Sequence, residues 1–413
     1  MTVLKARDAG DVEQAVRAAM ASEQPLEIIG HGSKRKIGQP ISTNALLDVS
    51  ALNAVTSYEP NELIITVQAG APLSDVMSLI DSKNQQFAFE PVQPASLLGT
   101  HGGGTIGGMI AAGLAGPRRL KAGGVRDHLL GAHAVSGFGD HFKTGGKVVK
   151  NVTGYDLCKL LAGSWGTLAV MTEVTLKVMP KPESECTLVL RGLDGPVANR
   201  AMTAALGSPF DVTGAAHVPH SVFWKAADVG LAVLGDQPQP ATLLRLEGIA
   251  ASVVHRAAAL GQLLLPFGAS DLLENDASAA VWSALRDIRP FAASGPLGGW
   301  PIWRIVCAPA SGAALGDQIT RESGGEVIYD WGGGLIWAAL PPKPDAQADW
   351  LRRCVEAASG HATLIRAPEE VRRQVEVFHP QAAGVAALNE RIRRSFDPLN
   401  ILNRGRLSRK EPA

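Results

Sequence analysis

The sequence has 413 residues, enough for two or three domains of about 150 residues each. Hydrophobic residues make up 46% and charged residues 19%, which is typical of an ordinary globular protein and excludes a disordered chain. Lys plus Arg and Asp plus Glu both number 39, so the charge balance gives no indication of nucleic acid or an anionic membrane as a partner.

The four cysteines (Cys158, Cys186, Cys307, Cys354) are scattered along the chain. Their spacing excludes a C-x-x-C zinc or iron–sulfur site and favours a reducing compartment, so we predict no metal site in this chain. The charged N-terminus does not look like a signal peptide, and no apolar stretch approaches the ~20 residues of a spanning helix. We expect a cytoplasmic protein, or one held peripherally at the inner membrane through partner subunits.

Helical and strand patterns alternate in the first part of the sequence. They predict, in chain order, a helix at 11–22, strands at 25–30, 45–55 and 62–70, and a helix at 71–84. Farther on, the pattern predicts a hairpin at 129–146 with its turn at Gly137–Asp140. It also predicts a long strand at 166–180 that ends at Pro180.

The segment 180–184, "PKPES", is the best linker candidate because it combines two prolines with a cluster of charges. Glycine density falls after it, and alanine-rich amphipathic patterns predict helices such as 251–267. Two Trp- and Gly-rich patches follow, "GGWPIWRI" and "YDWGGGLIWAAL". A last helix is predicted at 386–396, followed by the turn "DPLN".

Residues 101–107, "HGGGTIG", match the G-x-G-x-x-G spacing of a nicotinamide-dinucleotide fingerprint. That fingerprint requires a strand before it and an acidic residue at the tip of the next strand. Here two prolines precede the glycines, and Asp127 lies before a strand instead of at its end. We therefore interpret the glycines as a loop that does not bind a nicotinamide cofactor.

A second glycine loop, Gly30–Lys34, directly follows the strand "LEIIG". Its glycines allow backbone N–H groups to converge on an anion, and Ser33 and Lys34 add a hydroxyl and a charge suited to pyrophosphate. A tight turn explains these five residues equally well on their own. The presence of two glycine loops in one domain, without the nicotinamide layout, favours a nucleotide site.

Together with "KNVTGYDLCKLLAGSWGTLAVMTEVTLKV" (150–178) and "SFDPLNILNRGRL" (395–407), these loops resemble a known family. The chain is similar to FAD-binding proteins of the vanillyl-alcohol-oxidase (PCMH) type, in the branch of the D-lactate dehydrogenases and glycolate oxidases. It looks most like the second flavin-type, FAD-binding subunits of bacterial glycolate oxidases, which carry "GLAGPRR", "VRD", "N-V-x-G-Y-D" and "DWGG" in this order. The resemblance covers nearly the whole chain.

The resemblance implies an α+β fold. Residues 1–181 would form a two-subdomain FAD-binding domain, and 182–383 a smaller α/β cap. The C-terminal helix and tail, 384–413, would return to the FAD-binding domain.

It also implies a set of cofactor contacts. The first loop would hold the FAD pyrophosphate, and the second would pass along the flavin. Pro94 and Val170 would line the flavin and adenine ends. The implied cofactor-binding residues are Gly30, His31, Gly32, Ser33, Lys34, Pro94, Thr105, Ile106, Gly107, Gly108, Ala111, Gly113 and Val170. Some relatives attach FAD through a histidine, but Ser33 occupies that position here, so we predict non-covalent FAD.

The sequence departs from the family where catalysis is concerned. Members that oxidise 2-hydroxy acids carry a metal-binding "H-A-G-D-G-N-x-H" segment, whereas 329–340 has Trp331, Trp337 and no histidine. Tryptophan neither accepts a proton nor binds a metal. Arg304 is a weak catalytic candidate that could pair with a carboxylate, and the alternative is a surface or strand-edge arginine.

The resemblance therefore implies an FAD-binding subunit of a complex that oxidises glycolate to glyoxylate. Its partners would be a catalytic flavin subunit and an iron–sulfur subunit that passes electrons to quinone. Two alternatives stay open: a stand-alone FAD-dependent dehydrogenase of a small 2-hydroxy acid such as D-lactate, or a non-catalytic assembly subunit.

Overall fold

The computed structural model describes residues 2–146, 155–226, 231–234 and 239–409. Residues 151–154, which begin the N-V-x-G-Y-D motif, lie outside that range. None of the helices within it is both long and apolar enough to cross a membrane.

The N-terminal part of the chain is built on two main sheets. Its strands are β1 Thr2–Lys5, β2 Leu26–Ile29, β3 Ala45–Asp48, β4 Val55–Glu59, β5 Ile64–Gln68, β6 Gln85–Gln86, β7 Leu129–Ser136, β8 His141–Gly145, β9 Ala169–Lys177 and β10 Met179–Pro180. Its helices are α1 Ala9–Ser22, α2 Leu73–Asp81, α3 Ala95–Leu98, α4 Ile106–Ala112, α5 Arg119–Ala122, α6 Val125–His128 and α7 Cys158–Leu161. Strands β1-β3-β2 form a parallel sheet and β4-β5-β9-β7-β8 an antiparallel one, while β10 pairs with β6.

Local sequence explains most of these elements. Helix α1 begins where the Asp8 carboxylate accepts the N–H of Asp11 at 2.8 Å, and its apolar face packs on Leu26 and Leu47. The strand expected at 45–55 is wrong in length, because the Asp48 side chain accepts the N–H of Ser50 and turns the chain there. The hairpin of β7 and β8 forms as predicted.

The C-terminal part is built on one eight-stranded sheet in the order β14-β11-β13-β12-β16-β17-β15-β18. Its strands are β11 Ser184–Arg191, β12 Gly214–Val218, β13 Ala241–Gly248, β14 Ser270–Glu274, β15 Ile302–Val306, β16 Glu326–Asp330, β17 Leu335–Ala339 and β18 His361–Arg366. Its helices are α8 Gly195–Leu206, α9 His220–Ala226, α10 Ala250–Leu264, α11 Asn275–Arg286, α12 Pro309–Ser323, α13 Ala348–Ala357, α14 Glu369–Gln374 and α15 Ala383–Phe396.

The two faces of this large sheet have different neighbours. Helices α8, α10, α12 and α13 cover one face with two apolar cores. The other face packs on the N-terminal part, where Leu97 and Leu114 join Ile302, Leu335 and Trp337 in a single core. The fold is α+β, as expected.

A buried ion cluster also links the two parts of the chain. Arg245 of β13 donates to Glu90 at 2.8 Å, and Arg118 donates to Glu247 at 2.9 Å. Burial opposes ionisation of Glu90, but the guanidinium groups of Arg245 and Arg118 outweigh it and hold the pKa of Glu90 at about 2.

After α15 the chain returns to the N-terminal part as a C-terminal strap, residues 397–409. Leu402 forms a parallel bridge with Leu26 of β2. Arg406 donates to the carbonyl of Ile37 at 3.0 Å and pairs with Glu27 at 3.1 Å. The strap therefore holds the segment that follows β2.

Candidate functional site

A cleft lies between the two glycine loops and has about 780 Å³ of space, part of it open to solvent. The first loop enters it from β2 and the second from the start of α4. The wall is completed by β9, by the turn at Trp165 and Gly166, and by the C-terminal strap.

Glycine conformation and close packing shape the loops. Gly104 has a φ of +83°, and a Cβ there would lie 2.7 Å from Ser33 Oγ and 3.0 Å from Lys34 Nζ. A Cβ on Gly30 would come within 2.5 Å of Thr105 Oγ1. Glycine is therefore required at both positions for the two loops to meet.

Helix α4 begins at the place where the loops meet. Thr105 caps it by accepting the N–H of Gly108 at 3.2 Å, and the N–H of Gly107 donates to the Ala69 carbonyl at 2.7 Å. A Cβ on Gly107 would lie 2.8 Å from that of Ala69. Small residues thus keep the main chain of α4 close to β5.

Lys34 is the one first-loop group whose pKa is displaced by burial, which lowers it to about 8. Its ammonium group has no hydrogen-bond or ion-pair partner among the residues that the structure describes. A cation without a counter-charge in the wall of a cleft fits an anionic ligand such as a phosphate.

Ten of the thirteen predicted cofactor residues line this cleft. They are Gly30, His31, Gly32, Ser33, Lys34, Thr105, Gly107, Gly108, Ala111 and Val170. The other three have different positions. Ile106, the first residue of α4, is buried in the core. Gly113 follows the last residue of α4 and packs against Gly163, and Pro94 precedes α3.

Several lining residues were missed by sequence reasoning, most notably Trp165, Asn403 and Arg406. Asn403 accepts the N–H of Ile28 at 2.8 Å and donates to the carbonyl of Trp165 at 2.7 Å, so the strap joins β2 to the far wall. The segment "LNRGRL" holds both strap residues, and its glycine and polar side chains were the available signal.

The segment "AGSWG", residues 162–166, resembles in its spacing the nucleophile elbow of some hydrolases. In the structure it forms a turn between α7 and β9. Its backbone has positive φ at Gly163, Trp165 and Gly166. Trp165 also packs edge-on against Phe378 at a centroid distance of 5.6 Å, which brings the C-terminal part to the rim of the cleft.

Arg304 is partly buried and does not lie on an edge strand, so the strand-edge alternative is wrong. Its strand, β15, is paired on both sides, opposite Trp337 of β17 and Thr363 of β18. The side chain faces the N-terminal part, and its Nε is buried without a hydrogen-bond partner. Burial and then the nearby Arg119 lower the pKa of Arg304 to about 10, so it stays cationic at neutral pH.

The segment 329–340, which contains no histidine, covers the end of β16, a tight turn and β17. Trp331 and Trp337 are both buried in the core between the two parts of the chain. Across the described ranges, no group of three or more His, Cys, Asp or Glu side chains could hold a metal ion.

The cleft fits a dinucleotide cofactor held largely by main chain. Its loops have no room for Cβ atoms at Gly30 or Gly104, its walls include the apolar Val49 and Val170, and Lys34 supplies an uncompensated charge. These features agree with the contacts expected of FAD.

Comparison with known proteins decides the family. Residues 2–145 match a family described as an FAD binding domain. Over 398 residues, covering 95% of both chains, the sequence is 30% identical to glycolate oxidase subunit GlcE of Escherichia coli (strain K12). The chain belongs to the GlcE family of glycolate oxidase subunits. It is therefore an FAD-binding flavoprotein of the oxidoreductase class, as predicted.

Two further relatives define how far the similarity reaches. Glycolate oxidase subunit GlcD of Bacillus subtilis (strain 168) is 33% identical over 188 residues, 45% of this chain and 38% of that one. The structure of 4-ethylphenol oxidase from Gulosibacter chungangensis superposes with a TM-score of 0.71 at 14% identity, over 98% of this chain and 88% of that one. The second similarity establishes the fold alone.

Proposed function

We propose that this GlcE-family chain is the FAD-binding subunit of a complex that oxidises glycolate to glyoxylate. Its partners would be a catalytic flavin subunit and an iron–sulfur subunit that delivers electrons to quinone. The observation that carries the proposal is the convergence of both glycine loops on one cleft. The similarity to GlcE over the whole chain supports the choice of complex.

Main-chain amides of Gly30–Lys34, with the Lys34 ammonium, would hold the pyrophosphate. The segment from Thr105 to Ala111 would lie along the flavin, where Gly107 and Gly108 allow close approach. We propose that the cofactor is non-covalent, because a serine hydroxyl at position 33 is not the imidazole that some relatives use.

When bound, FAD supplies a two-electron acceptor for the hydride that leaves the hydroxyl-bearing carbon. The chain's own contribution would be to exclude water from the cleft and orient the substrate. Trp331, Trp337 and Leu335 belong to the buried core between the two parts of the chain.

The test begins with the purified chain. Its flavin should be released into the supernatant by acid precipitation, and a yellow pellet would contradict non-covalent binding. Anaerobic addition of glycolate, followed through the flavin band near ~450 nm, then tests for turnover. Bleaching that requires the partner flavin subunit is the result expected of the complex subunit, and a purified chain without flavin would contradict the proposal.

A second candidate is a stand-alone dehydrogenase of a small 2-hydroxy acid. The position of Arg304 favours it, because an unpaired guanidinium faces the N-terminal part from β15, the strand next to the edge of the large sheet. Bleaching of the isolated chain by glycolate or D-lactate, without partners, would select this candidate.

A further inference from the structure

Two arginines contact the ring of Trp331 at the junction between the parts of the chain. The guanidinium carbon of Arg119 lies 4.4 Å from the ring centroid and that of Arg304 lies 5.1 Å from it. Arg119 begins α5 in the N-terminal part, and Arg304 belongs to β15. We call Arg119, Trp331 and Arg304 the arginine–tryptophan stack.

The positive charge of the stack is not balanced by the protein. Neither guanidinium has a hydrogen bond or an ion pair with any residue that the structure describes, and Arg304 Nε is buried without a partner. The carboxyl group that influences Arg304 is Asp330, and burial raises the pKa of Asp330 to about 7. Arg119 is exposed, so the cost of burial falls on Arg304, whose unpaired charge is costly unless a ligand compensates it.

A histidine shares the same surroundings. Side chains alternate along a strand, so His361 and Thr363 of β18 lie on the face of the sheet that carries Arg304. Burial lowers the pKa of His361, and Arg304, His379 and Arg119 lower it further. His361 and Thr363 therefore place hydrogen-bonding side chains on the same face of the sheet as Arg304.

The stack is connected to the flavin cleft through two short routes. Trp331 Nε1 donates to the carbonyl of Gly116 at 3.1 Å, four residues after α4 ends. On the other side, Trp165 of the cleft packs on Phe378, and the next residue, His379, has its ring centroid 6.4 Å from that of His361. These contacts join the stack to residues that pack against the cleft wall, although none of its three residues lines the cleft itself.

We propose that the arginine–tryptophan stack is a binding site for the carboxylate of a small hydroxy acid, formed by one arginine from each part of the chain. A guanidinium pairs with a carboxylate through two parallel hydrogen bonds. Trp331 orients both guanidinium groups by cation–π contact. The proposal rests on the proposed function, since it names the residues that recognise that substrate class.

The test is calorimetric titration of the flavin-loaded chain with glycolate and with glycolamide, its neutral amide. We expect glycolate to bind and glycolamide to bind at least about tenfold more weakly, because charged hydrogen bonds dominate the contact. Arg304→Met and Arg119→Met should each weaken glycolate binding roughly 10- to 100-fold. Arg321→Met, at an exposed arginine of α12 with a side chain 72% exposed, is the matched control and should change nothing.

One additional variant keeps the result interpretable. Arg304→Lys retains the charge without the planar fork and should bind glycolate with intermediate affinity. Melting curves verify that each variant is folded. Unchanged glycolate affinity in both arginine-to-methionine variants would overturn the site.

The proposed function and the site can fail separately. A chain without flavin that still binds glycolate through both arginines would support the site and contradict the function. A flavin-loaded chain that binds no glycolate would overturn the site and leave FAD binding intact.

Discussion

The cleft between the two glycine loops and the junction with the large sheet are two regions built by different means. The cleft is formed by main chain, with glycines at positions where a Cβ would collide with the opposite loop, as at Gly30 and Gly104. The junction is formed by long side chains, including Arg245, Arg304 and Trp331, which reach across from other elements.

The difference means that the two regions place different demands on the sequence. A main-chain cradle needs small residues in short segments, and the cleft has them. A side-chain site can be rebuilt one residue at a time, and the junction contains large side chains such as Trp331 and Trp337. If the two regions are independent, a substitution in one should leave the other intact, which the following predictions test.

The largest effect is expected at the ion cluster of the junction. Arg245→Met leaves Glu90 and Glu247 buried without their main counter-charge, so we expect the free energy of unfolding to fall by about 3–5 kcal/mol. Urea denaturation measures it. Arg191→Met is the matched control in the adjacent strand: its partner Asp271 is exposed, and the loss should stay below about 1 kcal/mol.

Flavin content makes this comparison sharper. Folded Arg245→Met protein should keep the wild-type amount of FAD per chain, because Arg245 does not line the cleft. Equal loss of stability in the two arginine variants would contradict the importance of the buried ion cluster. Loss of flavin from the folded Arg245 variant would show that the cleft and the junction are not independent.

The next effect concerns Asp330, which is buried at the junction and whose pKa is raised to about 7. Its unfolded pKa lies near the ordinary 3.8, so the native state binds more protons between these values. Stability therefore falls as pH rises from about 4 to 7. Asp330→Asn keeps an acceptor for the N–H of Trp331 and removes the titration.

Above pH 7 we expect Asp330→Asn to be more stable than the wild type, by up to about 4 kcal/mol. Thermal or urea unfolding over the pH range tests this, with the exposed Asp271→Asn as control. Parallel pH profiles for wild type and Asp330→Asn would refute the assignment of the charge to Asp330.

The sequence predicted the main-chain region better than the side-chain region, for physical reasons. Gly30–Lys34 can be interpreted from local spacing because one short segment contains the loop. The length of β3 depended on a single hydrogen bond that the Asp48 side chain accepts from the N–H of Ser50, which a periodicity pattern does not contain. Long-range partners are harder still: Asn403 bonds to Ile28, 375 residues away, and an edge position for Arg304 could not be excluded because strand order is absent from the sequence.

The third prediction tests the charge in the cleft. Lys34→Met should weaken FAD binding roughly 10- to 100-fold, the cost of one hydrogen bond from a charged group, about 1.5–3 kcal/mol. Fluorescence titration of FAD into cofactor-free protein measures it. Lys36→Met is the control, because Lys36 donates to the carbonyls of Leu98 and Gly99 and is not a lining residue.

The pH dependence gives an independent readout for Lys34. Burial lowers its pKa to about 8 in the free protein, and a bound phosphate would raise it again. FAD affinity should therefore be constant below about pH 8 and fall above it. The Lys34→Met variant should lack this fall, and a wild-type profile that stays flat to pH 9.5 or so would contradict a role for the ammonium group.

The smallest effect is expected at the C-terminal strap, where a side chain bonds to main-chain groups on two sides of the cleft. Asn403 is a side chain, but both of its bonds go to main chain: it accepts from Ile28 N–H and donates to the Trp165 carbonyl. Asn403→Ala leaves both groups unpaired, and we expect a loss of about 1–2 kcal/mol in stability. Asn403→Asp restores the acceptor alone and should recover only part of it.

FAD affinity decides what the strap does for the cleft. If the strap sets the distance between β2 and the Trp165 turn, Asn403→Ala weakens FAD binding and Asn403→Asp weakens it less, in the same order as stability. Asn389→Ala on α15, whose amide bonds to Gln381 at the surface, controls for a general effect of the C-terminal region. Stability that falls while FAD affinity stays constant would mean that the glycine loops hold their geometry without the strap.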